Sequence, residues 1–134
     1  MKISNMFAIA AVCASTCAAW GQTATESSWI GVWNATLEGL PGVILTLADN
    51  HGQLGGKIVF NGIIGRSPTP HIGLTDTLMV ANPQLKGDTF LFQVTRRDGK
   101  ELQSSVKLIN DKHAEMRCLN CEGAPVTALV KFVP

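Results

Sequence analysis

Apolar side chains alternate with other side chains along residues 28–60, and two groups of turn-forming residues, 40–42 and 49–52, interrupt the alternation. Successive side chains of a β-strand point to opposite faces, so a period of two is typical of strands with one buried face. Proline and glycine favour a chain reversal at both interruptions. The segment therefore predicts three consecutive strands, the first already extended at Ser28, with Trp29 and Trp33 on its inner face.

The apolar pattern also predicts how the second and third strands pair. A polar turn at Asp49–Gly52 would place Leu47 opposite Leu54, and Val43 opposite Ile58. A slip by one residue would turn the apolar set of the third strand toward solvent, so the buried face constrains the register.

Two features after Phe60 predict an irregular middle of the chain. Asn61-Gly62 between apolar residues is a strong signal for a two-residue hairpin turn. The segment 65–86 contains three prolines, which are poorly tolerated in central strands. We therefore expect a binding loop or lid within this segment, because long irregular connections often carry function.

The second half of the chain returns to regular alternation. A three-residue turn at Arg97-Asp98-Gly99 would pair Val94 with Leu102 and Phe90 with Val106, whereas a two-residue turn would place apolar residues opposite polar ones. Hydrophobic matching therefore favours the three-residue turn with a glycine bulge.

Eight or nine short strands follow one another through turns, and no segment shows the period of a helix. Consecutive strands form a meander, and closure of a meander removes its exposed edges. The sequence thus predicts an all-β fold, an up-and-down antiparallel β-barrel of about eight strands. A two-sheet β-sandwich is the alternative.

The N-terminus has the features of a secretory signal peptide. Lys2 precedes a short apolar run, and small residues surround position 21. We expect a signal peptide at 1–21, a single domain at 22–134, a secreted or periplasmic location, and no membrane insertion after cleavage. Without Lys2 the charges balance, 10 basic against 10 acidic residues, which argues against a nucleic-acid partner. We expect a monomer.

Cys118 and Cys121 are the cysteines that remain after cleavage. In an oxidising compartment a close pair favours a structural disulfide. A redox-active pair and a soft metal site shared with His113 and Met116 are the alternatives. The prediction is a disulfide, with no metal site.

Catalytic signals are weak in this sequence. Ser67, His71 and Asp76 are the residue types of a hydrolytic triad, but no nucleophile elbow accompanies them, and no glycine loop that cradles phosphate is present. We predict no catalytic residues, no cofactor and no enzymatic activity.

Gly31-Val32-Trp33 resembles the Gly-x-Trp signature of lipocalins. The resemblance implies an eight-stranded barrel in which Trp33 plugs one end while the other end binds a small apolar ligand. It also implies a basic residue near the end of the last strand, which would be Lys131. Over most of its length the chain is similar to small exported proteins of soil bacteria, a resemblance that implies no activity.

The predicted function is a non-enzymatic binding module that holds a small apolar ligand inside the barrel. Aromatic walls with few polar groups suit such ligands. The predicted ligand-binding residues are Trp33, Phe60, Phe90, Phe92, Met116, Arg66 and His71, with 66–76 as a lid. The first alternative is a protein partner bound by outward apolar residues, namely Ile30, Val32, Ile44 and Val59. The second is a thiol or metal-binding protein that uses the cysteine turn.

Overall fold

A computed structural model describes residues 26–65 and 68–132. The predicted signal peptide and Arg66 lie outside these ranges. The described chain contains one helical turn, α1 (Glu26–Trp29), followed by β-strands. The strands are β1 (Gly31–Leu37), β2 (Leu40–Asn50), β3 (Gln53–Ile64), β4 (His71–Met79), β5 (Ala81–Lys86), β6 (Thr89–Thr95), β7 (Glu101–Leu108), β8 (His113–Cys118) and β9 (Thr127–Lys131).

All these strands belong to one antiparallel sheet, in the order β4-β3-β2-β1-β9-β8-β7-β6-β5. The first and last strands of the chain pair with each other, Trp33 opposite Lys131 and Asn34 opposite Val130. This pairing joins the two halves of the meander, since each half consists of strands that follow one another in sequence.

The two edges of the sheet belong to one continuous stretch of chain. β4 and β5 are separated by Val80 alone, whose backbone N–H donates to the Gly56 carbonyl oxygen at 2.9 Å. β4 pairs with β3, and β5 pairs with β6. The continuous segment formed by β4, Val80 and β5 thus connects both edges, and the sheet is a nearly closed barrel. The predicted up-and-down β-barrel is confirmed, with β4 and β5 sharing one strand position in an eight-position ring.

Inward-facing side chains fill the barrel with a single core. Trp33 and Ile58 are fully buried there, as the alternation predicts. Among the described residues, Ser104 is the one polar residue whose side chain is buried in this core. The apolar core consists of Trp29, Trp33, Leu45, Leu47, Leu54, Ile58, Leu78, Phe90, Phe92, Val94, Val106, Ala114, Met116 and Leu129.

The predicted pairing of β2 with β3 is wrong by two residues. Leu47 lies opposite Gly56, and the strands extend to a tight turn at His51-Gly52. Both turn residues have positive φ, 55° and 84°, as the two-residue hairpin turn requires, and the Gly52 N–H donates to Asp49 Oδ1 at 3.0 Å. A shift of two residues preserves the inner face, so the predicted core residues remain inside.

The predicted hairpin turn at Asn61-Gly62 is also wrong, because β3 continues through it to Ile64. The Asn61 side chain holds the extended conformation. Its Nδ2 donates to the Pro41 carbonyl oxygen at 2.8 Å, and its Oδ1 accepts from Thr75 Oγ1 at 2.8 Å. The pairing of β3 with β4 shifts register between Asn61 and Ile63, where the glycine sits in a bulge.

The predicted irregular segment 65–86 consists largely of β4 and β5, so residues 71–76 form a strand rather than part of a lid. Pro83 is one of the three prolines that predicted irregularity, and with Asn82 it lies inside β5. Both residues lie at a register irregularity of β5, and Asn82 has a φ of 49°. Proline is accommodated here because an irregular edge position needs no ladder hydrogen bond from it.

The predicted turn between β6 and β7 is confirmed. Val94 lies opposite Leu102 and Phe90 opposite Val106. Gly99 has a φ of 86° at the bulge position. Hydrophobic matching therefore identified both the length of this turn and its glycine.

Candidate functional site

The two ends of the barrel differ in how they are filled. We call the end next to α1 and the His51-Gly52 turn the closed end. We call the other end, where the β6–β7 turn and the β8–β9 connection lie, the open end.

Two tryptophans fill the closed end. Trp29 belongs to α1 rather than to the extended strand predicted from Ser28, and both Trp29 and Trp33 are fully buried. The helical turn is tied to β1, because Trp33 Nε1 donates to the Trp29 carbonyl oxygen at 2.9 Å. The Trp29 ring also packs against Phe90, with ring centroids 5.9 Å apart. Phe90 in turn stacks on Phe92 at 5.4 Å.

Lys131 covers the outside of this plug. Its Nζ lies 5.6 Å from the centroid of the Trp33 ring and donates to the Ser28 carbonyl oxygen at 3.3 Å. Its aliphatic stem lies over Gly31, where an added Cβ would come within 2.8 Å of Lys131 Cε. One basic side chain on β9 thus connects α1, β1 and the last strand.

We expect Lys131→Met to lower the free energy of unfolding by about 1 kcal/mol, the combined scale of a partly buried cation–π contact and a hydrogen bond. Methionine retains an apolar stem over Gly31 but has no ammonium group. Urea denaturation followed by circular dichroism measures the change. Lys131→Arg should restore most of the stability, and equal loss in both variants would contradict a role for the positive charge.

Three apolar cavities adjoin one another at the open end, and Phe60 lines all of them. Their volumes are about 370, 230 and 190 Å³. Val43, Pro125 and Thr127 are shared by the two larger cavities, and Leu102 by the two smaller. We call this connected surface the mouth. Its residues, besides those already named, are Ala35, Thr36, Leu37, Gly42, Asn61, Asp76, Leu78, Arg96, Ser104, Met116, Cys118, Cys121 and Ala124.

The structure separates the predicted ligand-binding residues into groups. Phe60 and Met116 line the mouth. Trp33 lies in the filled interior. Phe90 lines a cavity of about 200 Å³ beside the His51-Gly52 turn, and Phe92 lines one of about 170 Å³ along β5, β6 and β7, both separate from the mouth. His71 is exposed at the start of β4, and Arg66 lies outside the described residues. For every residue in this set, ligand contact stays a prediction.

Sequence reasoning missed several residues of the mouth. Val43 and Leu102 occupy inward positions of their strands, so the alternation could have identified them. Pro125 and Thr127 reach the mouth through the path of the β8–β9 connection, which no local pattern specifies.

A charged pair spans the barrel wall beside the mouth, where β4 and β6 have no ladder hydrogen bonds. Arg97 Nε lies 2.8 Å from Asp76 Oδ1, and Arg97 Nη2 donates to the Thr75 carbonyl oxygen at 3.2 Å. Asp76 and Arg97 are both solvent-accessible, so the pair contributes little to stability. Asp76, which lines the mouth, is thus paired with the positive charge of Arg97.

Cys118 and Cys121 form a close pair in the wall of the mouth. Their Cα atoms are 5.3 Å apart and their sulfur atoms are in contact. Asn120 attaches this turn to β7. Its Nδ2 donates to the Glu101 carbonyl oxygen at 2.8 Å, and its Oδ1 accepts from the Gln103 N–H at 2.9 Å. The cysteine turn is thereby held at a fixed position beside the cavity.

The metal alternative requires residues that the barrel holds apart. His113 begins β8 and Cys118 ends it, and His113 Nδ1 lies 3.0 Å from Asn110 Oδ1. Within residues 26–65 and 68–132, no group of three or more His, Cys, Asp or Glu side chains could hold a metal ion.

The outward apolar residues proposed for a protein partner lie on one side of the barrel. Ile44 lies opposite Val59 in the sheet, and Ile30 is exposed next to β1. Phe132, which is 59% exposed, extends this surface beside Val32. The Phe132 N–H donates to the Val32 carbonyl oxygen at 2.7 Å. A protein partner stays a prediction.

The described chain contains no helix long and apolar enough to cross a membrane. No protein-family model, curated protein or solved structure matches this chain.

Proposed function

We propose that this protein is an exported, non-enzymatic binding module that holds a small apolar ligand in the mouth of the barrel. The observation that carries the proposal is the contrast between the two ends. The buried Trp29 and Trp33 occupy the closed end, where a cavity of about 200 Å³ lies beside the His51-Gly52 turn, whereas apolar side chains around Phe60 line three adjoining cavities, the largest about 370 Å³, at the other end.

The size and lining of the mouth support an apolar ligand. Its largest cavity, about 370 Å³, lies within the range of roughly 300–1,000 Å³ typical of small-molecule sites. Carbon-rich side chains, such as Val43, Phe60 and Met116, form most of its walls. Ser104, 7% exposed, supplies a hydroxyl that could orient a ligand without requiring a charged one.

The closed end supports the same proposal through its likeness to lipocalins. The resemblance implies a plug formed by Trp33 and a basic residue on the last strand, and Lys131 lies over the Trp33 ring. In that family the end opposite the plug holds the ligand, which here is the end that contains the mouth.

The cysteine turn has a structural role in this proposal. In an oxidising compartment Cys118 and Cys121 would form a disulfide that keeps the β8–β9 connection against the cavity. The loop that it closes is short, so its contribution to global stability would lie below the typical ~2–4 kcal/mol. The disulfide would therefore act on the shape of the mouth rather than on folding.

We expect Phe60→Ser to weaken binding of Nile red, a neutral apolar dye that fluoresces in apolar surroundings, by about tenfold. Replacing the ring removes contact area shared by all three cavities, and a loss of about 1.4 kcal/mol corresponds to that factor. Fluorescence titration of the purified mature protein measures the affinity.

Val59→Ser is the matched control, because Val59 is the neighbouring β3 residue, is also half-buried, and faces outward. It should leave the dye affinity unchanged, while circular dichroism confirms that both variants are folded. Absence of saturable dye binding to the wild-type protein would overturn the proposed function. An equal loss in both variants would remove the mouth as the site.

A further inference from the structure

The β8–β9 connection, residues 119–126, forms one wall of the mouth. Pro125 lines both of the larger cavities, and Ala124 lines the one of about 230 Å³. Cys118 and Cys121 line that cavity too. Residues 122–126 are exposed, so the rest of the barrel leaves this wall uncovered. A movement of this segment would therefore change the volume in which we place the ligand.

The two halves of the connection are attached to the barrel in different ways. In the first half, the Leu119 N–H donates to the Gln103 carbonyl oxygen at 2.6 Å, and both polar atoms of the Asn120 side chain are hydrogen-bonded to β7. In the second half, the one backbone hydrogen bond joins two residues of the segment itself. Among the described residues, no hydrogen bond or ion pair connects residues 121–125 to any strand.

The bond between Cys118 and Cys121 is therefore what ties the second half to the barrel. Cys118 belongs to β8 and lies opposite Ser104 of β7, so the ladder holds its main chain. Its Sγ lies 3.4 Å from Asn120 Oδ1, which gives a Cys118 thiol an acceptor already in place. Cys121 has no such support. Reduction would leave Cys118 where it is and release the chain from Cys121 onward.

We propose that the cysteine pair is a redox-controlled latch on the mouth: the disulfide holds the wall in place for ligand binding, and its reduction by a protein dithiol lowers the affinity. This inference rests on the proposed function and adds a regulation of the same site. It also explains why Cys118 and Cys121 line the cavity rather than a distant turn.

The reductant is a dithiol of the thiol–disulfide exchange class. One of its thiolates attacks a cysteine sulfur, forms a mixed disulfide and displaces the other cysteine, whose sulfur takes up a proton. The second thiolate of the dithiol then displaces the remaining cysteine, which is protonated in turn. The pair gains two electrons and two protons, and the dithiol is oxidised to a disulfide. Both cysteines are partly exposed, as an attack on their sulfur atoms requires.

Titration of the mature protein with Nile red, before and after treatment with dithiothreitol, tests the latch. We expect reduction to weaken dye binding about fivefold, because a released wall that stays in place about a fifth of the time lowers the apparent affinity by that factor. Reoxidation should restore the affinity. Circular dichroism should show the same barrel in both states, since a bond that closes so short a loop constrains the unfolded chain little.

The double variant Cys118→Ser/Cys121→Ser is the control, because it has no bond to reduce. It should bind the dye with the weaker affinity of the reduced protein, whether or not dithiothreitol is present. A second readout needs no ligand: brief treatment of the reduced, folded protein with iodoacetamide, followed by mass spectrometry, should show Cys121 modified faster than Cys118.

The outcomes separate the latch from the proposed function. If the affinity for Nile red is unchanged after verified reduction, the latch is wrong, while saturable dye binding still supports the proposed function. Equal rates of modification at Cys118 and Cys121, loss of the barrel on reduction, or free thiols in the exported protein would each overturn the latch as well. Absence of dye binding to the oxidised wild-type protein overturns both.

Discussion

Gly56→Ala should lower the free energy of unfolding by about 3 kcal/mol or more, at the upper end of what an overpacked interior costs. Gly56 lies opposite Leu47 in the β2–β3 pair. A Cβ built on it would overlap the backbone carbonyl oxygen of Thr46. The neighbour is main chain rather than a flexible side chain, so the strands must separate to accept even one methyl group.

Urea denaturation followed by circular dichroism measures this loss, with Gly62→Ala as the matched control on β3. A Cβ at Gly62 would lie 3.6 Å from its nearest neighbour, the Leu74 carbonyl oxygen, which is an ordinary contact. The control should change stability by less than about 1 kcal/mol. Similar losses in the two variants would show that strand propensity, rather than close approach of the backbone, determines the need for glycine at position 56.

Gly56 also illustrates what a sequence pattern can specify. The period of two placed Ile58 and Phe60 on the inner face and Lys57 on the outer face, and it did so although the predicted register was wrong by two residues. The face on which a side chain lies depends only on whether its position in the strand is odd or even, whereas the pairing register depends on the length of the turn. The His51-Gly52 turn has positive φ at a histidine, which is uncommon, so the sequence favoured a longer loop.

The errors around Asn61 and Pro83 have tertiary causes. Asn-Gly favours a turn locally, but Asn61 is hydrogen-bonded to Pro41 and Thr75, which are distant in the chain. Pro83 disfavours a strand locally, yet it lies at a register irregularity of β5, which is an edge strand of the sheet. Long-range hydrogen bonds override local propensity at Asn61, and the edge position of β5 allows proline at position 83.

The mouth was predictable only in part for the same reason. Phe60 and Met116 follow from the inward pattern of their strands. The division of the interior into a filled end and an open end does not follow, because α1 places Trp29 inside by a helical turn that no periodic pattern signals. The Arg97–Asp76 pair likewise depends on how β4 meets the β6–β7 turn.

Because the tryptophans and the mouth lie at opposite ends of the barrel, Trp33→Ala should destabilise the barrel strongly and leave its mouth intact. Truncation of a fully buried tryptophan is expected to lower the free energy of unfolding by about 3–5 kcal/mol. It leaves a cavity below Trp29, and α1 loses the indole N–H that donates to its carbonyl oxygen. Urea denaturation followed by circular dichroism measures the loss, since the fluorescence of the variant is altered by the substitution itself.

Two further variants separate the contributions at this end. Trp33→Phe keeps an aromatic ring but has no indole N–H, and it should lose less stability than Trp33→Ala, including about 1 kcal/mol for the hydrogen bond. Phe132→Ala, at a 59% exposed position, should change stability by less than about 1 kcal/mol. In the absence of denaturant, folded Trp33→Phe should bind Nile red as tightly as the wild-type protein. A large loss of dye affinity in that variant would place the ligand against the tryptophan plug, because Phe60 and the rest of the mouth are unchanged by the substitution.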